Sequence, residues 1–195
     1  MSLRIRLIRH GQTAWNQQRR FLGSTDIGLD EQGWSQAREL GRALSGSFDA
    51  VYSSPLSRAR ETASCLSDEI TELAEMREMS QGELEGLLAP NAIERFPRFF
   101  EQWKRDPTSV SAPGGETLGG CRDRGMRGLA QVASAHALGA SVAVVTHQLV
   151  IASITCTVDE SPLSEWSKYC VGNCAGVTLE WDGVNWKIGR DEEIS

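Results

Sequence analysis

Leu3-Arg4-Ile5-Arg6-Leu7-Ile8-Arg9-His10-Gly11 alternates apolar and charged side chains, then becomes wholly apolar, and stops on an arginine, a histidine and a glycine. That is the pattern of a strand entering a buried sheet. Gly11 is read as the residue that frees the backbone to turn sharply. Thr13 or Asn16 then begins a short helix over Trp15 to Arg20. Ser141-Val142-Ala143-Val144-Val145-Thr146-His147 repeats the theme: it is the clearest buried strand of the chain and also ends in histidine. Ligands of open α/β sheets sit outside the carboxyl ends of the strands. If these two strands are neighbours, His10 and His147 face each other across such a crevice. One strand-end histidine is more often structural than catalytic; two at equivalent ends point to a site.

Between and around these strands, helix and strand signals alternate, as in an α/β layered domain. Asp30 is an N-cap for a helix whose apolar stripe is Trp34, Ala37, Leu40, Ala43 and Leu44, ending at Gly46. Phe48 to Ser53 reads as a strand, and Ser54-Pro55 as the start of a helix with Pro55 in its first turn. Ile70 to Ala74 suggests a short edge strand. Glu116-Thr117 opens a long helix towards His136, which its internal Gly119, Gly120, Gly125 and Gly128 weaken unless packing holds it. Leu149 to Cys156 is an apolar helix. Val177 to Ile188 reads as a hairpin around an Asp182-Gly183 turn. The segment 87–115 stands apart: Phe96, Phe99, Phe100 and Trp103 lie beside Arg95, Arg98, Lys104 and Arg105, with prolines between. It is read as a helical insertion or lid on a single domain spanning 1–195.

The 195 residues carry a net charge of −6, which argues against a nucleic-acid or anionic-membrane binder. Only Lys104, Lys168 and Lys187 are lysines, so an anion site must be built mainly from arginine, a residue suited to bidentate phosphate binding. No apolar run is long enough to span a membrane and no secretory signal is seen, so a cytoplasmic location is expected. Cys65, Cys121, Cys156, Cys170 and Cys174 are expected as reduced thiols, and no His/Cys cluster completes a zinc set. A homodimer stays open, because Trp166 and Trp186 read equally as packed or exposed.

In Ser57-Arg58-Ala59-Arg60-Glu61-Thr62-Ala63, Arg58 and Thr62 share one helical face and Arg60 points elsewhere. Taken with Arg9-His10-Gly11-Gln12-Thr13 and Trp15-Asn16, with Arg77-Glu78-Met79-Ser80-Gln81-Gly82-Glu83-Leu84-Glu85-Gly86, with Gly115-Glu116-Thr117 and with Val145-Thr146-His147, the chain resembles the histidine phosphatase superfamily, the phosphoglycerate mutase-like proteins. The resemblance implies a three-layer α/β/α sandwich with a mixed, mostly parallel sheet. It implies His10 as the nucleophile that accepts the phosphoryl group, Arg9 and Arg58 as the clamp on its oxygens, His147 as the completion of the pocket and Glu78 as the proton donor. Asn16, Gln148 and Gly23 are assigned to substrate binding. No metal and no cofactor is implied. The activity expected is that of a histidine acid phosphatase-type phosphomonoesterase working on a small phosphorylated metabolite through a phosphohistidine.

Two positions depart from the pattern. Leu22 precedes Gly23 where a polar residue is frequent, which removes one contact, and Gln148 follows His147 where glycine is frequent, which narrows the pocket or adds an amide to it. Glu83 and Glu85 are read as a turn-flanking charge and a structural carboxylate. Phosphoglycerate mutase activity and a non-catalytic phosphate-binding module are the alternatives. Sugar phosphates, phosphoglycerates and α-ribazole phosphate stay open as substrates, with Arg95, Arg98 or Arg105 read equally as contacts for a second anionic group or as solvent-facing helix charges.

Overall fold

The structure, a computed structural model, describes residues 1–189. Its six-stranded sheet has the order β3-β2-β4-β1-β5-β6. The strands are β1 (Leu3–Arg9), β2 (Ala50–Ser53), β3 (Thr71–Glu72), β4 (Ser141–Thr146), β5 (Gly176–Trp181) and β6 (Trp186–Ile188). β1, β4, β2 and β3 run parallel, and β5 pairs antiparallel with both β1 and β6, so the sheet is mixed and mostly parallel. β1 and β4 are direct neighbours, with Arg9 opposite Thr146. The residues that follow them, His10 and His147, therefore emerge side by side.

The helices are α1 (Ala14–Gln17), α2 (Glu31–Ala43), α3 (Ser57–Ala63), α4 (Ala89–Arg95), α5 (Pro97–Arg105), α6 (Leu118–Ala135) and α7 (Gln148–Val158). Strand alternation divides the core between the two faces of the sheet. Leu3, Ile5, Leu7, Val142 and Val144 pack with Leu129, Ile151 and Ile154 of α6 and α7. Ile8, Val51, Ala143 and Val145 pack with Ala59 and Ala63 of α3 and with Leu40 of α2. The result is the three-layer α/β/α arrangement. Among the described residues, no helix is long and apolar enough to cross a membrane.

Three local readings change. Pro55 lies ahead of α3, which starts at Ser57 with Leu56 as its N-cap. The hairpin loop spans 182–185, since Trp181 pairs with Trp186; Asp182 Oδ1 fastens it by accepting from the backbone of Val184 and Asn185. Gly11 does not occupy the left-handed region. It is small because a Cβ there would lie 2.7 Å from the carbonyl oxygen of Gly33. Close approach of α2, rather than a tight turn, is what excludes a side chain. α6 runs unbroken through its glycines because several of them face neighbours at contact: Gly119 meets the Thr108 backbone, Gly125 meets Ile154 and Gly128 meets Met76. Trp166 and Trp186 are both partly buried against the core.

A Cβ on Gly33 would overlap the backbone carbonyl of Gln12, which cannot move without displacing the turn after His10. Gly33→Ala is therefore expected to lower stability by about 1–3 kcal/mol despite alanine's better helix propensity, read as a drop in the urea midpoint at unchanged slope. A stabilised variant would contradict the close packing of α2 on that turn.

Candidate functional site

The carboxyl ends of the parallel strands deliver every group singled out in the sequence. β1 carries Arg9 and leads to His10, β4 leads to His147, and β2 leads through Ser53-Ser54 to Arg58 on α3. Glu78 follows the 3-10 turn at Ala74–Met76. His10, Arg58, Glu78 and His147 are all buried, Arg58 and His147 completely. The two imidazoles lie 5.1 Å apart, centroid to centroid, with a tilt of 58°.

His10 Nδ1 lies 2.7 Å from the carbonyl oxygen of Gly11. A carbonyl can only accept, so Nδ1 carries the proton and Nε2 keeps its lone pair. Burial, and then the charge of Arg58 with a smaller share from Arg9, holds the His10 pKa well below its ordinary value. The ring is thus neutral near pH 7, with one nitrogen available as a nucleophile. Asn173 Nδ2 donates to the His10 carbonyl at 2.9 Å and fixes the backbone of this turn.

The arginines are held by backbone carbonyls. Arg58 donates to the carbonyls of Thr25 (2.9 Å) and Gly23 (2.7 Å). Arg9 donates to Val171 (2.8 Å) and to Gln148 Oε1 (2.9 Å). Burial lowers both guanidinium pKa values from a starting point high enough to leave them charged. Arg9 Nε, Arg58 Nε, His147 Nδ1 and Gln148 Nε2 are buried polar atoms without a hydrogen-bond partner among the described residues. An unmatched buried polar group costs about 1–3 kcal/mol. Several around one histidine mark a place built for a ligand rich in acceptor oxygens.

Glu78 accepts from the backbone N–H of Met79 (2.8 Å) and of Leu149 (3.3 Å). Its pKa is nevertheless raised, because desolvation outweighs those bonds and the nearby Arg58 and Arg9. The segment bearing it is fastened on both sides by a pair of residues near the start of α6. Arg124 donates to the carbonyls of Glu75 and Arg77 at 2.6 and 2.7 Å, while Glu116 accepts from Ser80 N at 2.7 Å and pairs with Arg124 at 2.9 Å.

The remaining predicted positions divide. Gln148 and Asn16 line a cavity of about 240 Å³ that opens beside Arg9, His10 and Glu78. Asn16 Oδ1 is itself committed to the Thr13 capping box of α1. Gly23 enters the site through its carbonyl on Arg58. Glu85 has the structural role read for it: its carboxylate accepts from Ser24, Thr25 and Gln81, shaping the loop that holds Arg58, and Glu83 pairs with Arg95 at the surface. The arginines of α4 and α5 lie at the surface, the second of the two readings given for them. Arg95 is spent on Glu83 and on the Phe96 ring, Arg105 on Glu101, and Arg98 is exposed. Arg20 and Gln81, which sequence reasoning passed over, line the cavity instead. Ser54, also passed over although it ends a strand beside Pro55, hydrogen-bonds His147 Nε2 at 2.8 Å. Asn173 left no signal, as an isolated loop amide far along the chain.

A sequence profile of the histidine phosphatase superfamily (branch 1) matches residues 5–192. The chain is 32% identical to phosphoserine phosphatase 1 of Hydrogenobacter thermophilus, over 86% of this chain and 82% of that protein. It is 33% identical to the uncharacterized phosphatase PhoE of Bacillus subtilis, over 97% and 93% of the two chains. Its backbone superposes on YhfR of Bacillus stearothermophilus with a TM-score of 0.89 at 26% identity, covering 99% of this chain and all of the other.

Both site histidines have pKa values pushed down by burial, so as pH falls the unfolded chain takes up protons before the folded one. The stability they contribute is full above the unfolded value of about 6.5 and is lost below it. Each histidine contributes a slope of up to about 1.4 kcal/mol per pH unit to a fall in unfolding free energy between pH 7 and 5, offset in part by Glu78, whose raised pKa acts in the opposite direction. His147→Asn should lower the slope measured in urea by up to about 1.4 kcal/mol per pH unit; an unchanged slope contradicts a buried neutral His147.

Proposed function

Since the chain belongs to the histidine phosphatase superfamily, branch 1, we propose that it is a phosphatase of small phosphorylated metabolites that needs no metal and turns over through a phosphohistidine at His10. The family and the phosphatases among its relatives support the hydrolase reading. The observation that carries it in this chain is the set of unpartnered donors on Arg9, Arg58, His147 and Gln148 gathered around an unprotonated His10 Nε2.

In the first half-reaction the His10 Nε2 lone pair attacks phosphorus, the bond from phosphorus to the alcohol oxygen breaks, and Glu78 gives its proton to that oxygen. In the second, a water attacks phosphorus, Glu78 takes the proton of the water, and phosphate departs with His10 regenerated. Negative charge spreads over the equatorial oxygens throughout, so positioning and electrostatic stabilisation do most of the work. Arg9 and Arg58 supply fixed positive charge in a dry site. The raised pKa of Glu78 suits a group that must be an acid in one half and a base in the other.

His147 has a distinct part. Its pKa is held down by burial and by Arg58, so the ring carries one proton near neutral pH. Ser54 Oγ accepts from Leu56 N and sits 2.8 Å from His147 Nε2. With the Ser54 hydroxyl donating to the unprotonated Nε2, His147 carries its proton on Nδ1, which is then an N–H donor to a phosphoryl oxygen. The helical segment 87–115 forms the outer wall of the same single domain, over the end of the site away from His10.

His10→Ala is expected to abolish phosphate release from alkyl phosphates, measured without added metal and in the presence of chelator. Full activity in that variant contradicts the covalent route. Glu78→Gln should cost about 10²–10⁴ in kcat on alkyl phosphates and much less on 4-nitrophenyl phosphate, whose leaving group needs little protonation. Equal losses on both would remove Glu78 from the proposed role.

A further inference from the structure

The cavity beside His10 has a wall that the phosphoryl chemistry does not use. Besides Arg9, His10 and Glu78 its lining includes Phe21, Phe99, Phe100, Trp103, Trp166 and Leu149. Four of the rings form a connected array. Phe99 meets Phe100 edge-on at 5.0 Å and Trp103 at 5.5 Å, and Phe100 meets Phe21 at 5.9 Å. All five are partly buried, so each leaves ring surface uncovered. Aromatic side chains arranged in this way favour another ring, by area and by edge-to-face geometry.

Apart from the free Arg9 Nε and Gln148 Nε2 beside His10, the polar side chains of the same lining each have a bond within the protein. Arg20 donates at 2.6 Å to the Gly86 carbonyl and at 2.6 Å to Gln18 Oε1. Gln81 Nε2 donates to the Leu22 carbonyl, and Asn16 Oδ1 holds the α1 cap. The arginines carried by α4 and α5 are turned to the surface. Beyond Arg9 the lining has one cation, Arg20, against five aromatic rings. A charged group on the leaving alcohol would therefore exchange its hydration for few partners, and an ammonium for none of opposite charge but Glu78. An apolar cavity of roughly 150 Å³ accepts benzene, so the about 240 Å³ here holds one ring system with a short linker to the phosphate.

We propose that the preferred substrate is a phosphomonoester whose alcohol carries an aromatic or comparably flat apolar body, seated against Phe99, Phe100, Trp103 and Trp166. The proposal rests on the phosphatase reading and adds the chemical class of the leaving group. Primary alkyl phosphates test it, because their bond to phosphorus is alike while the body differs: 2-phenylethyl phosphate, ethyl phosphate, phosphoserine and 3-phosphoglycerate, compared by kcat/KM at fixed pH. The expected result is a preference of at least about tenfold for 2-phenylethyl phosphate over each of the others. In Trp103→Leu and in Phe99→Leu, the ratio of 2-phenylethyl to ethyl phosphate should fall towards one; two variants guard against one that fails to fold. Phosphoserine or 3-phosphoglycerate as the better substrate, or a ratio unmoved in both folded variants, overturns the aromatic assignment and leaves the phosphatase reading standing. No hydrolysis of any of the four overturns both.

Discussion

Arg58 is a fully buried cation with no carboxylate bound to it, and much of the surrounding chain is arranged to make that tolerable. Removing an ion from water costs several kcal/mol even after relaxation. The cost is offset by carbonyl dipoles from Gly23 and Thr25, in a loop that Asp26 also ties to Ser57 at the start of α3. That loop is shaped in turn by Glu85, whose carboxylate gathers donors from Ser24, Thr25 and Gln81. These bonds overcome the burial that opposes ionisation and hold Glu85 below the usual carboxylate range. Arg58 then lowers the pKa values of His10 and His147. A single buried charge thereby links the order of the loop to the protonation state of the nucleophile.

Nucleophile and acid are secured by different means. His10 stands at the end of a central strand, between hydrogen-bonded neighbours on both sides, with α2 pressed against its turn. Glu78 lies outside any strand, on a segment that Arg124 and Glu116 grip before and after it. Its distance from the histidines therefore depends on how α6 sits, which the glycines facing Thr108, Ile154 and Met76 allow to be close.

Much of this was legible in the chain because strand ends carry a local signature. An alternating run stopping on His10 and a continuous apolar run stopping on His147 pointed to the crevice, and the i, i+4 relation of Arg58 and Thr62 to a shared face, on which both side chains are buried. Contacts made across long separations left no such trace. Asn173 reaches His10 from 163 residues away, and Arg124 reaches Glu75 from 49. The arginines of α4 and α5 were legible only as two alternatives for a related reason. Composition placed cations beside aromatics, but helix phase turned the aromatics inward and paired Arg95 and Arg105 outward. At Gly11 the residue was rightly singled out and its reason was wrong: a neighbouring backbone, invisible in sequence, excludes the side chain.

The outer wall joins the remainder of the molecule by the buried Ala92 and Ala112, by partly buried rings, by loop hydrogen bonds and by an isolated bridge between Arg20 and Leu88, and among the described residues no strand ladder crosses into it. Its helix α5 contributes partly buried rings and no fully buried residue, so it covers the core rather than forming its centre. Mutational drift can thus rewrite what α5 presents while the hydrogen-bonded frame under His10 stays untouched. In such a molecule new specificities are reached by small steps that do not first pass through an unfolded or inert ancestor.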